Sequence, residues 1–228
     1  MAIQPSGQPV PFPTGPRPVN PQHQPALTAE GDRTLAPSSE LATAVSLLSA
    51  ATLASPEAES HRAWILEFVD HHDDAALRTC PEAHLTGSAL VVDAQARHTL
   101  VLHHRKLGRW FQPGGHADGD TNLAGVALRE AAEETGIVGL RLLPEVIDVD
   151  VHRVEPPTEE PHLHLDVRFV VFAPPGAEAT GNHESLGLRW VTVEQLDDLD
   201  PPVDSSTHRL VELGLSRARA YLSDQSST

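Results

Sequence analysis

The stretch QPGGHADGDTNLAGVALREAAEETGI, residues 112–137, contains the features that decide the fold. It begins with a glycine pair and continues into a run rich in alanine, leucine and glutamate. In the turn Pro113-Gly114-Gly115, backbone atoms can approach a ligand or an ion because no Cβ atom stands in the way. The stretch therefore predicts a tight turn at a place where small groups could bind.

A helix is expected directly after this turn. Asn122 or Thr121 can cap its first turn, and Gly136 stands at the usual position of a C-terminal glycine. These end signals predict a helix over about 122–135.

Three glutamates of this helix fall on one face. Glu130, Glu133 and Glu134 stand at i, i+3 and i+4, a spacing that places their carboxylates side by side. Like charges at this spacing repel each other, and Arg129 can offset part of the repulsion by pairing with Glu133 at i+4. The repulsion among these three carboxylates is unfavourable for the helix, so their presence needs an explanation.

One explanation is a solvated charged face, which is the usual reason for a charge run. One turn earlier, however, the same face carries Leu123, Val126 and Ala127, so it is expected to turn toward protein. The stretch also contains no lysine. Three carboxylates beside a glycine turn suit Mg²⁺, which takes oxygen ligands and is often shared with substrate phosphates. We therefore expect a divalent-metal site here.

The stretch resembles the Nudix box, whose pattern is G-x5-E-x7-R-E-U-x-E-E-x-G-U, where U is an aliphatic residue. Counted from Gly115, the required spacings are met by Arg129, Glu130, Ala131, Glu133, Glu134, Gly136 and Ile137. The resemblance covers 115–137 directly and, through the strand order, about 85–200. It implies an α/β fold of the Nudix type, an α/β/α sandwich with a mixed β-sheet. It also implies hydrolysis, dependent on Mg²⁺ or Mn²⁺, of a nucleoside diphosphate linked to another moiety.

One position departs from the pattern. Thr121 stands where the pattern has its first Glu, and a threonine supplies no carboxylate. Asp118 and Asp120 lie nearby and could replace it in part, through water. The resemblance implies that this Glu is less central than the later acids, so we expect the metal site to be retained. The competing interpretation is a catalytically weak or inactive Nudix-like module that binds a nucleotide-type ligand as a sensor or scaffold.

The resemblance also implies roles for individual residues of the box. Glu133 and Glu134 are expected to be the main metal ligands, with help from the carbonyl of Gly115. Glu130 is expected to be a further ligand or a general base, and Arg129 to orient the acids.

Candidate residues outside this helix extend the site. Nudix proteins often take an additional base or ligand from a loop before the last core strand, and Glu184 is the candidate here; the alternative is a loop acid in solvent. A few cations near a diphosphate site could bind phosphates, and we take Arg105, Arg109, His116 and His164 as candidate substrate-binding residues. For the two arginines, the alternative is an ordinary hairpin turn.

Two histidines on a predicted strand allow a different interpretation. His162 and His164 share one strand face because side chains alternate with a period of two. With His116 or Asp166 they could hold a transition metal, for which imidazole is a suitable ligand. The interpretation that we favour from the sequence is that His164 and Asp166 point into or beside the substrate cleft, or pack.

Four segments are expected along the chain: a disordered proline-rich tail at 1–38, a helical extension at 39–80, the Nudix domain at 81–203, and a C-terminal helix with a tail at 204–228. The strands expected around the box are 87–94, 98–104, 109–112, 146–154, 162–173 and 186–193. The alternative for the tail is a proline-rich ligand of a partner domain.

Composition limits the partners. The net charge of the 228-residue chain is −16, which disfavours nucleic acid and anionic membranes because both need a basic protein surface. The single cysteine, Cys80, permits no disulfide within the chain. We expect a cytoplasmic protein whose partner is a nucleotide-type small molecule. Whether the chain forms a homodimer is left open.

Overall fold

The computed structural model describes residues 25–155 and 160–226. Residues 1–24 of the predicted proline-rich tail lie outside this part of the chain. Residues 25–38 differ from the prediction, because they include strand β1 (Thr28–Ala29) and a short 3-10 turn (Arg33–Leu35). Strand β1 pairs with strand β6, so this segment is attached to the sheet.

The described ranges contain four α-helices and nine strands. The helices are α1 (Leu41–Ala50), α2 (Pro56–His71), α3 (Leu123–Thr135) and α4 (Ser205–Gln225). The strands after β1 are β2 (Ala83–Val92), β3 (Thr99–His104), β4 (Arg109–Phe111), β5 (Gly114–His116), β6 (Arg141–Leu142), β7 (Asp148–Val154), β8 (His162–Phe172) and β9 (Ser185–Val191). Among the described residues, no helix is long and apolar enough to cross a membrane.

The strands form one mixed sheet with the order β1-β6-β8-β2-β3-β4. At its centre β2 and β8 run parallel, in register from Ala83 opposite Leu163 to Val92 opposite Phe172. Strand β5 pairs with β2, β7 with β8, and β9 with β3, each in the antiparallel sense. Strand β2 begins four residues earlier than the predicted start at Gly87. Its pairing with β8 extends back to Ala83, which lies opposite Leu163, the second residue of β8.

Side-chain alternation along the central strands separates two buried layers. Successive residues of a strand point to opposite faces of the sheet. On one face, Leu85 and Val167 pack with helices α1, α2 and α3. On the other face, Leu90 and Val170 pack with α4. The structure is therefore an α/β/α sandwich, which confirms the predicted fold class.

Helix α3 lies close to the sheet because β2 carries a glycine beneath it. A Cβ atom added at Gly87 would stand 2.7 Å from the carbonyl oxygen of Leu123. The helix begins at its N-cap Asn122 and ends at Gly136, which has a φ of 69°, so both predicted end signals are confirmed. This close approach brings the acidic end of α3 to strand β5 and the glycine turn.

Candidate active site

The glycine turn and the acidic helix meet as the sequence indicates. Gly115 lies in β5 opposite Gly87 of β2. A Cβ atom added at Gly115 would stand 2.5 Å from the Cδ atom of Glu130, so only glycine leaves room for this carboxylate. The backbone N–H of Gly114 donates to Oε2 of Glu134 over 2.9 Å. The turn therefore contacts two of the three glutamates.

The three glutamates differ in their surroundings. Glu133 is exposed, Glu130 is half-buried, and Glu134 is only 6% exposed. Burial raises the pKa of Glu134 to about 8, and the charges of Glu130 and Glu184 act in the same direction. Burial also raises the pKa of Glu130, although the Arg129 guanidinium opposes the shift. Crowded, partly desolvated carboxylates are costly to ionise alone, and a divalent cation would remove this cost. The donor set therefore fits a hard cation such as Mg²⁺.

Arg129 contacts two acids of this site, but neither of them is the expected partner Glu133. Its Nη2 lies 3.5 Å from Oε1 of Glu130, and its Nη1 lies 3.4 Å from Oδ2 of Asp120. The predicted i+4 pair with Glu133 is replaced by these two contacts. Because the guanidinium is 41% exposed, its contribution is to the position of Glu130 more than to stability.

Glu184 lies close enough to the helix acids to influence them. Its charge raises the pKa of both Glu130 and Glu134, after the larger effect of burial. The side chain is 45% exposed, so it can reach solvent as well as the site. Glu184 thus joins Glu130, Glu133 and Glu134 in one group of carboxylates, the acidic cluster.

Arg105 fastens the loop that carries Glu184. Its backbone N–H donates to the carbonyl of Glu184 over 2.8 Å. Its guanidinium donates to the carbonyls of His183 and Ser185, over 2.9 and 3.1 Å. Arg109, by contrast, is exposed at the start of β4, opposite His104 in the hairpin. The structure thus gives Arg105 a positioning contact that the sequence did not indicate.

The side chain of Thr121 binds the N-terminal segment at residues 38–40. The side chain is fully buried, and its hydroxyl donates to the carbonyls of Ser38 and Glu40 over 2.9 and 2.8 Å. Its backbone N–H also donates to the carbonyl of Ser38. A carboxylate at this position would face two carbonyl oxygens, so the substitution of the expected Glu by Thr allows residues 38–40 to dock on the box.

The neighbouring aspartates are also engaged. Asp118 accepts hydrogen bonds from Arg78, which hold the pKa of that carboxyl below its usual range. One oxygen of Asp120 accepts from the backbone N–H groups of Ser38 and Asn122, over 3.1 and 3.0 Å. The carboxylates of Asp118 and Asp120 therefore hold the loop in shape through hydrogen bonds of their own.

We expect Thr121→Val to destabilise the protein by about 0.5–1.5 kcal/mol, because the carbonyls of Ser38 and Glu40 lose the hydroxyl that bonds both of them. Its Mg²⁺ affinity should remain within about twofold of the wild-type value, because the hydroxyl is bonded to the carbonyls of Ser38 and Glu40. Urea unfolding and Mg²⁺ titration measure the two quantities, and Thr121→Ser, which keeps the hydroxyl, is the matched control. A loss of Mg²⁺ affinity without a loss of stability would contradict this role.

His116 and His164 lie together, and the structure adds His84, which the sequence analysis did not connect with them. The ring of His164 lies 5.0 Å from that of His116 and 5.1 Å from that of His84. Burial lowers the pKa of His164 to about 2 and that of His84 to about 4, and neighbouring histidines add to both shifts. These imidazoles are neutral, so they offer lone pairs and N–H groups to a ligand.

His84 was missed because its signal lies in a pairing. The alternation of His84, Thr86 and Ser88 with apolar residues marks one polar face of β2. Only the parallel register with β8 places His84 opposite His164. Asp166, the other proposed partner of that strand, accepts from Thr86, Ser88 and Arg168, so its oxygens are already used.

The family comparison agrees with this geometry. The model of the NUDIX domain matches residues 84–212, which is more than half of the 228-residue chain. None of the curated proteins compared with the chain matched it.

Similar solved structures come from several organisms. A NUDIX hydrolase from Alicyclobacillus acidocaldarius is 17% identical, with a TM-score of 0.48 over 64% of this chain and 97% of that chain. The Ap4A hydrolase of C. elegans, in a binary complex, is 17% identical, with a TM-score of 0.46 over 61% and 97% of the two chains. The Nudix hydrolase RenU of M. smegmatis is 22% identical, with a TM-score of 0.41 over 61% and 86%. The match of the domain model over residues 84–212 shows that the chain belongs to the NUDIX family.

Proposed function

We propose that the protein is a metal-dependent hydrolase that cleaves the diphosphate bond of a nucleoside diphosphate linked to another moiety. Family membership supports a Nudix pyrophosphohydrolase. The observation that carries the proposal is the contact of the glycine turn with buried Glu134 and half-buried Glu130, whose pKa values are raised by burial. A site that only needed charge at the surface would not bury these carboxylates.

The donor set suggests which residues hold the ion. Glu133 and Glu134 would be the main ligands of Mg²⁺ or Mn²⁺, assisted by the carbonyl of Gly115 and by Glu130. Such an ion neutralises and orients a diphosphate, and it lowers the pKa of a bound water. Arg129 keeps Glu130 in place through its contact with Oε1.

Glu184 is the residue that we propose as the general base. A base must lie within reach of the attacking water and have a pKa that lets it accept a proton. The loop carbonyls held by Arg105 keep Glu184 near the helix acids. A Glu184→Gln variant should lose kcat while it retains Mg²⁺ affinity. Unchanged turnover in this variant would assign the base to Glu130.

The candidate substrate contacts are two arginines and two histidines, as proposed from the sequence. Arg105 and Arg109 stand on the β3–β4 hairpin, and His116 and His164 line the neighbouring polar face of the sheet. We propose that these groups bind phosphate or ribose oxygens of the substrate. Release of nucleoside monophosphate from a panel of diphosphate-linked nucleosides tests the activity and ranks the substrates.

Metal binding should be strongly pH-dependent. In EDTA, Glu134 has a folded-state pKa of about 8 against an ordinary value of 4.5, so the folded state binds its proton more tightly than the unfolded state. The contribution of Glu134 to folding stability is then full below about pH 4.5 and is lost as pH rises toward 8. Because ligands must be deprotonated, Mg²⁺ affinity should rise over the same window.

Unfolding midpoints from pH 5 to 8.5, with EDTA or with saturating Mg²⁺, check this linkage. The stabilisation by Mg²⁺ should grow with pH in the wild-type protein. The Glu134→Gln variant is the control, since it cannot titrate, and its midpoint in EDTA should depend less on pH. Equal pH slopes for the two proteins in EDTA would show that Glu134 is not the titrating group.

A second candidate function is a Nudix-like sensor that binds a nucleotide without hydrolysing it. The docking of residues 38–40 on Thr121 favours it, because a position that carries a carboxylate in the Nudix pattern has become a structural contact. Tight, metal-dependent binding of one compound of the panel without turnover would identify this function.

A further inference from the structure

Three histidines of the sheet converge away from the acidic cluster. His84 belongs to β2, and His162 and His164 belong to β8. Their rings lie 4.7 to 5.3 Å apart, and one nitrogen of each lies within 4.8 Å of the others. The parallel register of the two strands creates this grouping, because it places His84 directly opposite His164.

Four of the ring nitrogens in this group have no hydrogen-bond partner among the described residues. Among the described residues, no partner meets hydrogen-bonding geometry with either ring nitrogen of His84 or with Nε2 of His162 and His164. His84 is 1% exposed and His162 is 7% exposed. Burial of a polar atom without a partner is unfavourable, so four such atoms in one place call for a ligand.

The tautomer of His162 is fixed by the backbone. Its Nδ1 lies 2.8 Å from the carbonyl oxygen of Glu160, and a carbonyl can only accept. Nδ1 therefore carries the proton, and in the neutral ring Nε2 presents a lone pair toward the other histidines. Histidines that bind metals commonly use the second ring nitrogen in this way, which fixes the ring and increases its basicity.

The spacing suits a small transition-metal ion. Tetrahedral Zn²⁺ with Zn–N bonds of about 2.0–2.1 Å requires ligand nitrogens roughly 3.4 Å apart. The three nitrogens lie within 4.8 Å of one another, so binding of one ion would draw them closer to a shared centre. Neutral imidazoles favour Zn²⁺, Cu²⁺, Ni²⁺ or Co²⁺ over Mg²⁺, which prefers oxygen.

The group stands on the opposite side of β5 from the acids. The missing side chain of Gly115 would meet Glu130, whereas the next residue, His116, points to the other face, where its ring lies 4.9 Å from that of His84. The two groups of potential ligands are thus separated by one strand and differ in donor chemistry.

A buried ionic network lies beside this group on the same face of the sheet. The carboxylates of Asp148, Asp150 and Asp166 pair with Arg168 and Arg209. Asp150 also lies 3.4 and 3.0 Å from Nδ1 of His61 and of His152. Asp166 stands two residues after His164 on β8.

We propose that His84, His162 and His164 form a second metal site, which binds one divalent transition-metal ion of the Zn²⁺ type and leaves a fourth coordination position open. Three histidines with an open position are a ligand set that Zn²⁺ adopts where it also binds water or a substrate group. The half-buried His164 and His116 mark the side from which such a group enters. The three proposed ligands are separate from the acidic cluster, although His164 is also one of the substrate contacts proposed above.

The test is titration of the full-length, chelator-treated protein with Co²⁺, followed by competition with Zn²⁺. Four-coordinate Co²⁺ has strong visible absorption, whereas octahedral Co²⁺ on carboxylates absorbs weakly, so the spectrum separates the two sites. We expect one equivalent of four-coordinate Co²⁺ that one equivalent of Zn²⁺ displaces. The His162→Gln and His164→Gln variants should bind at least about 100-fold more weakly.

Two control variants show whether the Co²⁺ spectrum comes from the histidines or from another part of the protein. His71→Gln removes an exposed histidine of α2, and Glu134→Gln removes a carboxylate of the other site; both should keep the Co²⁺ spectrum. Loss of the spectrum in Glu134→Gln alone, equal affinity in His162→Gln and the wild type, or no four-coordinate Co²⁺ in the wild type would overturn the proposal. The wild-type stoichiometry stands without any variant, so a variant that misfolds does not decide the result.

Discussion

Replacing Glu134 by glutamine is expected to reduce kcat/KM by about 10³-fold while the protein stays folded. Removal of a single charged or polar group that stabilises a transition state commonly costs about 10²–10³-fold, and loss of a metal ligand also weakens the ion itself. Glutamine keeps the shape of the side chain, and its amide oxygen can still accept from the N–H of Gly114. The loss should therefore appear in Mg²⁺ affinity and turnover.

Stability separates this effect from misfolding. Because the pKa of Glu134 is raised to about 8 by burial, its ionised form destabilises the metal-free protein at pH 8 and above. Glu134→Gln should therefore be at least as stable as the wild type in EDTA at that pH. The matched control is Glu212→Gln on α4, whose side chain is 59% exposed, and its kcat/KM should not change. An active Glu134→Gln protein would remove this carboxylate from the metal site.

Replacing Arg168 by methionine should cause the largest loss of stability. The guanidinium is 2% exposed and donates to Asp166, Asp148 and Asp150 over 2.7, 3.0 and 3.1 Å. Removal of one partner from a buried ionic group costs about 3–5 kcal/mol, because the remaining charges stay buried without compensation. For a domain of this size, that corresponds to a fall in Tm of roughly 6–20 °C.

The control for Arg168 lies on the neighbouring strand. Arg153 pairs with Glu155 at the surface, with 61% and 69% of the two side chains exposed, so Arg153→Met should cost less than about 1 kcal/mol. Thermal unfolding of both variants measures the difference. Equal small losses would show that Arg168 is not the centre of the network that joins β7, β8 and α4.

The local patterns of the sequence identify most of the acidic site. The caps at Asn122 and Gly136 set the length of α3, and its helical spacing places Glu130 and Glu134 beside the glycine turn. These features depend on residues near each other in the chain, so periodicity and capping are sufficient to predict them.

Contacts between distant residues were not predictable in the same way. The docking of Ser38 on Thr121 joins residues 83 positions apart, and the polar segment around it has no period. Likewise, His84 meets His164, and Asp148 meets Arg168, only through the register of neighbouring strands. A shift of one residue in either pairing would exchange the faces of the sheet, and the sequence of one strand does not specify that register.

The hydrolysis of diphosphate-linked nucleosides in ¹⁸O-labelled water tests the central claim most directly. Wild-type protein with Mg²⁺ should release a nucleoside monophosphate from at least one compound, with one labelled oxygen in a phosphate product. Excess EDTA should abolish the release, and added Mg²⁺ should restore it. Turnover that persists in EDTA, or the absence of turnover on every compound with either Mg²⁺ or Mn²⁺, would contradict the assignment of a metal-dependent hydrolase.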